Sequence, residues 1–158
     1  MRANRFLFSS LAAVLISMTV VGMTTAADQP TPGERALKYR KSLYQVIVWN
    51  FGPMSAMAQD KMPFDPAGFA ERAQRIAQLT PMLAESYPPE SKGVADSKLK
   101  SKMWDNRADF DAKLQDLVDE SAKLAQVAKT GDEAASKQAF FDTANACKSC
   151  HDEYKADD

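Results

Sequence analysis

All the cysteine and histidine in the chain lies in one pentapeptide, Cys147-Lys148-Ser149-Cys150-His151, which holds both cysteines and the single histidine. Two thiols three residues apart, followed at once by an imidazole, suit the covalent attachment of a porphyrin. The thiols meet the two vinyl groups on one edge of the ring, and the next side chain reaches the iron. On an α-helix, which advances about 100° per residue, Cys147, Cys150 and His151 fall within a sector of roughly 100°. One helix face therefore presents all three without a break in the backbone.

Other chemistry fits these residues less well. A structural zinc site takes four protein ligands, usually Cys or His, and the chain has three such residues. A thioredoxin-like dithiol opens a helix inside an α/β pattern, whereas this motif sits in the last helical stretch of a chain with no strand-like alternation. A plain disulfide suits an oxidising compartment but leaves the adjacent histidine without a task. The expected cofactor is one haem c, held through Cys147 and Cys150, with His151 as the axial ligand of iron.

Four amphipathic segments must position that motif. The first starts at Thr31-Pro32-Gly33-Glu34, where Thr31 caps, Pro32 takes the first helical position and Glu34 completes a capping box. Leu37, Tyr44, Ile47, Val48, Phe51 and Met54 follow the helical period to about Met57, with Arg40 on the same stripe. Asp65-Pro66 offers a second cap, and Phe69, Ala73, Ile76, Ala77 and Leu83 form a second stripe that must end before Pro88-Pro89. Residues 86–100 read as one long surface connection. Phe110, Leu114, Leu117, Val118, Leu124 and Val127 make a third stripe stopped by Gly131. The fourth begins near Asp132 and carries Phe140, Ala144, Cys147, His151 and Tyr154. With no internal repeat and short links, the expected fold class is all-α, an antiparallel four-helix bundle with its covalently bound haem near the C-terminus.

The N-terminus reads as a removable secretion signal over residues 1–26. Met1 to Arg5 is short and basic, Phe6 to Val21 is almost wholly apolar or small, and small side chains place cleavage after Ala26 or Ala27. An uncleaved anchor is the competing reading, but polar and small residues dilute the run. The domain is then residues 27–158, destined for the periplasm and free of the membrane after cleavage. Of 20 basic and 21 acidic residues, only Arg2 and Arg5 leave with the signal, so 18 basic and 21 acidic remain, a charge of −3. The basic residues are scattered among acids rather than gathered on one face, which argues against nucleic acid as a partner.

The chain resembles cytochrome c′, the high-spin branch of the class II c-type cytochromes. The resemblance rests on Lys38-Tyr39-Arg40, on Phe51-Gly52-Pro53-Met54, and on the run from Cys147 to Tyr154 placed at the C-terminal end. It implies a periplasmic bundle, commonly a homodimer packed through its first two helices. It implies that Tyr44, four residues after Arg40, stands over the distal face of the haem, within an apolar distal pocket shared with Ile47, Val48 and Phe51. Low-spin relatives carry Met at that point, so Tyr44 implies five-coordinate iron, and Met54, Met57 and Met62 read as packing residues. Arg40 matches a position that contacts a haem propionate. Lys155 stands where the family usually has Arg on the proximal side, which keeps the charge but not the planar fork; a solvated helix-end cation is the alternative. Trp49 and Trp104 read as core or interface aromatics, and Phe140, Phe141 and Tyr154 as core.

The function implied is reversible binding of small gases, nitric oxide and carbon monoxide, in nitric oxide handling. The alternative is a periplasmic electron-transfer cytochrome with a donor or acceptor partner. That reading would call for a sixth protein ligand and a one-signed docking patch. Enzymatic work is not expected, because peroxidase-like chemistry wants a distal acid-base residue and the one histidine is committed to iron.

Overall fold

The structure is a computed structural model that describes residues 29–157. The expected signal segment, with its cleavage after Ala26 or Ala27, lies outside the described residues. Four helices account for the architecture: α1 Pro32–Ala58, α2 Pro66–Leu79, α3 Arg107–Ala128 and α4 Glu133–Tyr154. Packing runs α1 on α2, α2 on α3, α3 on α4, and α4 back on α1, so the four close into a bundle. Among the described residues the β pairing is one isolated bridge, Leu99 with Lys155.

Local chemistry explains the helix ends. Thr31 accepts from the Glu34 amide while Glu34 accepts from the Thr31 amide, the expected capping box. Asp132 caps α4 by accepting from Ala135, and Gly131 takes a φ of 73° where the chain leaves α3, a conformation that suits glycine. Asp65 precedes α2 without a side-chain cap bond; its amide donates instead to the Met57 sulfur at 3.3 Å. Pro53 sits inside α1 and cannot donate to the carbonyl four residues back, that of Trp49. Arg72 of α2 supplies the missing donor at 3.5 Å, so the helix continues through the proline.

The expectations for the second helix and for the connection need correction. The second helix ends at Leu79, and Leu83 lies on a 3₁₀ helix, Thr80–Ser86, because Pro81 removes the amide that would continue the α pattern. Residues 86–100 are not simply a surface connection: Ser86, Tyr87 and Ser91 are buried there. The two serines can be buried because each hydroxyl donates to a local carbonyl, Ser86 to Leu83 and Ser91 to Pro88. The segment lies close against α1 because Gly33 has no side chain; a Cβ there would fall on the Glu90 carbonyl oxygen.

The interior divides in two. One core gathers Met54, Met57, Phe69, Ile76, Leu124 and Phe140. The other gathers Leu43, Ile47, Leu83, Tyr87, Met103, Phe110, Leu114, Leu117 and Tyr154, with Cys147 and Cys150 packed against it. Each fully buried Phe contributes about 1.5–3 kcal/mol through area removed from water, so either core alone matters on the scale of total stability. Trp104 is half-buried on the second core, while Trp49 is 75% exposed and belongs to neither. Phe141 is also largely exposed rather than core, although its ring meets Phe140 edge-on.

Candidate functional site

The last turns of α4 carry the pentapeptide, and the second core decides what each member touches. Cys150 and His151 line a cleft of about 340 Å³ together with Leu37, Arg40, Lys41, Tyr44, Val48, Tyr87, Leu99, Phe110, Tyr154 and Lys155. That volume lies in the range of small-molecule and cofactor sites. Cys147 is half-buried against the same core, one turn back along the helix, and lies outside the cleft lining. Both thiols are free. Burial pushes the Cys147 thiol up and Cys150 up to about 11, so both stay protonated at neutral pH. His151 is exposed as a residue, but partial desolvation, then the neighbouring Lys155 charge, lowers its imidazole, a shift toward the neutral form that ligates iron.

From α1 the cleft takes Arg40, Tyr44 and Val48, spaced successively by one helical turn. Arg40 is 5% exposed, and its Nη1 and Nη2 have no hydrogen-bond partner. Its guanidinium lies 4.4 Å from the centre of the Tyr87 ring. A buried guanidinium with idle donors is expensive unless an anion meets it. The Tyr44 hydroxyl stands 3.0 Å from that of Tyr87, and burial is the main reason both phenols titrate above their ordinary value.

Of the residues singled out in the sequence, the cleft brings together Arg40, Tyr44, Val48, Cys150, His151 and Lys155. It does not include Ile47 or Phe51. Ile47 is buried in the second core, and Phe51 packs on the first, its ring centre 4.3 Å from that of Phe140. The side chains lining the cleft from α1 are therefore those at 37, 40, 41, 44 and 48, which share one helix face, while 47 and 51 turn into the bundle. Val48 is 65% exposed and stands at the cleft mouth rather than deep within it. Met54 and Met57 are buried in the far core, and neither they nor Met62 line the cleft.

The cleft lining includes residues that sequence reasoning had not assigned to the site, Tyr87, Leu99 and Phe110 among them. Phe110 was visible as an apolar position on α3, but nothing in its spacing separates a cleft wall from ordinary core. Tyr87 and Leu99 fall in the connection, where the only local signal is an aromatic directly before Pro88-Pro89. Leu99 is held at the site by a strap of backbone bonds: Lys100 donates to the Tyr154 carbonyl and Ala156 to that of Lys98, both at 2.8 Å.

The donors present fit a haem. One thiol, Cys150, and the His151 imidazole line an apolar cleft with the second thiol, Cys147, one turn back along the same helix, and the lining includes a buried cation with unused donors, the counterpart that a propionate requires. Among the described residues there is no cluster of three or more His, Cys, Asp or Glu that could hold a bare metal ion.

Comparison with known proteins agrees. The Cytochrome C′ family profile matches residues 35–155. Cytochrome c′ from Rubrivivax gelatinosus is 35% identical over 124 residues, covering 78% of this chain and 95% of that one. The solved cytochrome c prime from Shewanella frigidimarina is 39% identical with a TM-score of 0.77, covering 82% of this chain and all of the other. A ferrous variant of cytochrome c prime from Alcaligenes xylosoxidans, solved with bound NO, is 28% identical with a TM-score of 0.74 over 82% of this chain. With a family match across nearly the whole described bundle and a cleft whose donors suit the same prosthetic group, the chain belongs to the cytochrome c′ family, whose members carry one covalently bound haem c.

Proposed function

We propose that this chain binds small gases, nitric oxide and carbon monoxide, at a five-coordinate haem iron in the periplasm, and that its role is nitric oxide handling. The observation that carries the reading is the composition of the cleft that His151 lines: α1 brings Tyr44 and Val48 to it, and its lining holds no methionine and no second histidine. A haem iron supplies an open coordination position when only one protein ligand reaches it. In this reading Cys147 and Cys150 form the thioether links, His151 is the axial ligand, and Arg40 donates to a propionate. Lys155 closes the proximal end of the cleft.

Each residue has a physical task. The α4 helix holds the two sulfurs and the imidazole at fixed spacing. The apolar wall of Leu37, Leu99 and Phe110 excludes water, and Tyr44 limits what can approach the distal side. In this reading the Arg40 donors go to a propionate and the Tyr44 hydroxyl to Tyr87, which favours ligands that bind without much hydrogen-bond help. The Alcaligenes xylosoxidans relative solved with bound NO supports nitric oxide as one such ligand. With His151 given to iron and the Cys150 thiol to the porphyrin, the acid-base side chains left in the cleft lining are phenols and lysines, so we infer a binding protein rather than an enzyme.

Among the described residues no helix is long and apolar enough to cross a membrane. The periplasmic assignment rests on the signal-like N-terminus. A homodimer through the first two helices belongs to the same proposal, and the exposed Val46, Val48 and Trp49 on α1 support it. The test is an absorption spectrum of the purified haem-bearing protein, oxidised, reduced, and reduced with carbon monoxide or nitric oxide. A high-spin ferrous spectrum that changes with each gas is expected; a low-spin spectrum insensitive to both would favour an electron carrier.

A further inference from the structure

Tyr44 and Tyr87 meet hydroxyl to hydroxyl at 3.0 Å inside the cleft. The two partners are held very differently. Tyr87 is 5% exposed and is fixed on several sides. Its ring packs edge-on to Phe110 with centres 4.7 Å apart, the Arg40 guanidinium lies over it, and its carbonyl accepts from Arg107 at 2.9 Å. Tyr44 is half-buried, and its hydroxyl is tied to that of Tyr87. Beyond Tyr44 lies a second groove, between α1 and α2, lined by Trp49, Pro53 and Arg72. Lys41, Tyr44 and Val48 line both this groove and the cleft. The Tyr44 ring is thus a wall with space on each side and a single polar tie to an immobile neighbour.

We propose that Tyr87 is a positioning residue for ligand binding, latching the Tyr44 ring over the distal side of the cleft through their shared hydroxyl bond. The proposal rests on the reading that Tyr44 faces the iron. A ligand arriving on that side displaces the Tyr44 ring toward the groove, and the displacement breaks the bond to Tyr87. Tyr87 thereby sets how readily the site opens without touching the ligand itself. Arg40 links the latch to the cofactor edge, because the same guanidinium that lies over Tyr87 is the one placed to meet a propionate.

The test is a double-mutant cycle on the haem-bearing ferrous protein with carbon monoxide, using wild type, Tyr44→Phe, Tyr87→Phe and the double variant. Both single changes keep the ring and remove the same bond from opposite sides, so loss of folding in one leaves the other informative. Each is expected to speed carbon monoxide association roughly fivefold, the factor that one net hydrogen bond is worth. The double variant is expected to match the singles rather than multiply them. The carbon monoxide dissociation rate is expected to stay unchanged in both singles, because the bond is already broken in the carbonyl form, whereas a general loosening of the cleft would change dissociation as well as association. Unchanged association rates in the singles, or effects that multiply in the double, would overturn the latch while leaving gas binding intact. A wild-type ferrous protein that binds no carbon monoxide would overturn the open-site reading and the latch with it.

Discussion

At the scale of single residues, Arg40 and Tyr154 show how a side chain's partner decides its worth. Arg40 is buried with idle donors in the protein alone, an arrangement that folding tolerates only if something anionic completes it. In the haem-bearing protein Arg40→Met, which keeps an apolar stem of similar reach, is expected to lower stability by about 1.5–3 kcal/mol, the range for a hydrogen bond to a charged group. Loss of the cation should also lower the reduction potential, since it stabilises the form with the smaller positive charge. Denaturant titration and a potentiometric titration check the two effects, and no change in either would show that Arg40 serves no propionate. Tyr154 has its partner already: its hydroxyl donates to Asp109 at 2.5 Å, and that bond is the main reason its phenol is pushed up to about 12. Because the folded value lies above the ordinary value of 10.0, the bond's contribution is present below pH 10 and is lost as pH rises through about 12. Stability of wild type and Tyr154→Phe, compared at rising pH, should converge across that window; a constant difference would show that the Asp109 bond is not its source.

Among the elements, the helices were legible because their evidence is local. The capping box at Thr31, the apolar period of α3 and the stop at Gly131 lie within a few turns of the residues they govern. The connection was not legible in the same way. Tyr87 and Leu99 are placed by residues far off in the chain: Tyr44 and Arg107 for the first, Tyr154 and Lys155 for the second. Two prolines and several polar residues looked like a solvated link, yet Ser86 and Ser91 satisfy the local carbonyls that burial would otherwise strand. Gly33 is what lets this segment lie against α1, and it is the sharpest test of the arrangement. Gly33→Ala would raise helix propensity, so a reading from the isolated helix predicts a gain. The Cβ would instead meet the Glu90 carbonyl and Val94, and overpacking of this kind costs about 1–3 kcal/mol. A fall in the thermal midpoint is expected, and a rise would mean that the segment is free to move aside.

Across the whole molecule, the site is a place where the bundle is left incomplete. The far core closes on itself, with Met54, Phe69 and Leu124 fully buried. The cleft-end core includes the walls of an apolar cavity, and the Arg40 guanidinium beside it lies over the Tyr87 ring with Nη1 and Nη2 unsatisfied. The pentapeptide announced the cofactor from five adjacent residues, but the cleft's other walls come from α1, α3 and the connection, and only the folded chain assembles them. The same holds for charge. Basic residues look evenly mixed with acids along the chain, while the cleft lining carries Arg40, Lys41, Lys98 and Lys155 and no carboxylate, a balance suited to an anionic group such as a haem with two propionates. If the haem completes this end of the bundle, its loss should be felt unevenly. In a Cys147→Ala, Cys150→Ala variant that cannot attach haem covalently, amide exchange is expected to quicken first around residues 37–48, 98–104 and 146–155. The amides around Phe69, Leu124 and Phe140 should keep most of their protection, since local opening follows local packing. Uniform loss of protection along all four helices would show instead that the two cores form one cooperative unit, with the haem stabilising the bundle as a whole.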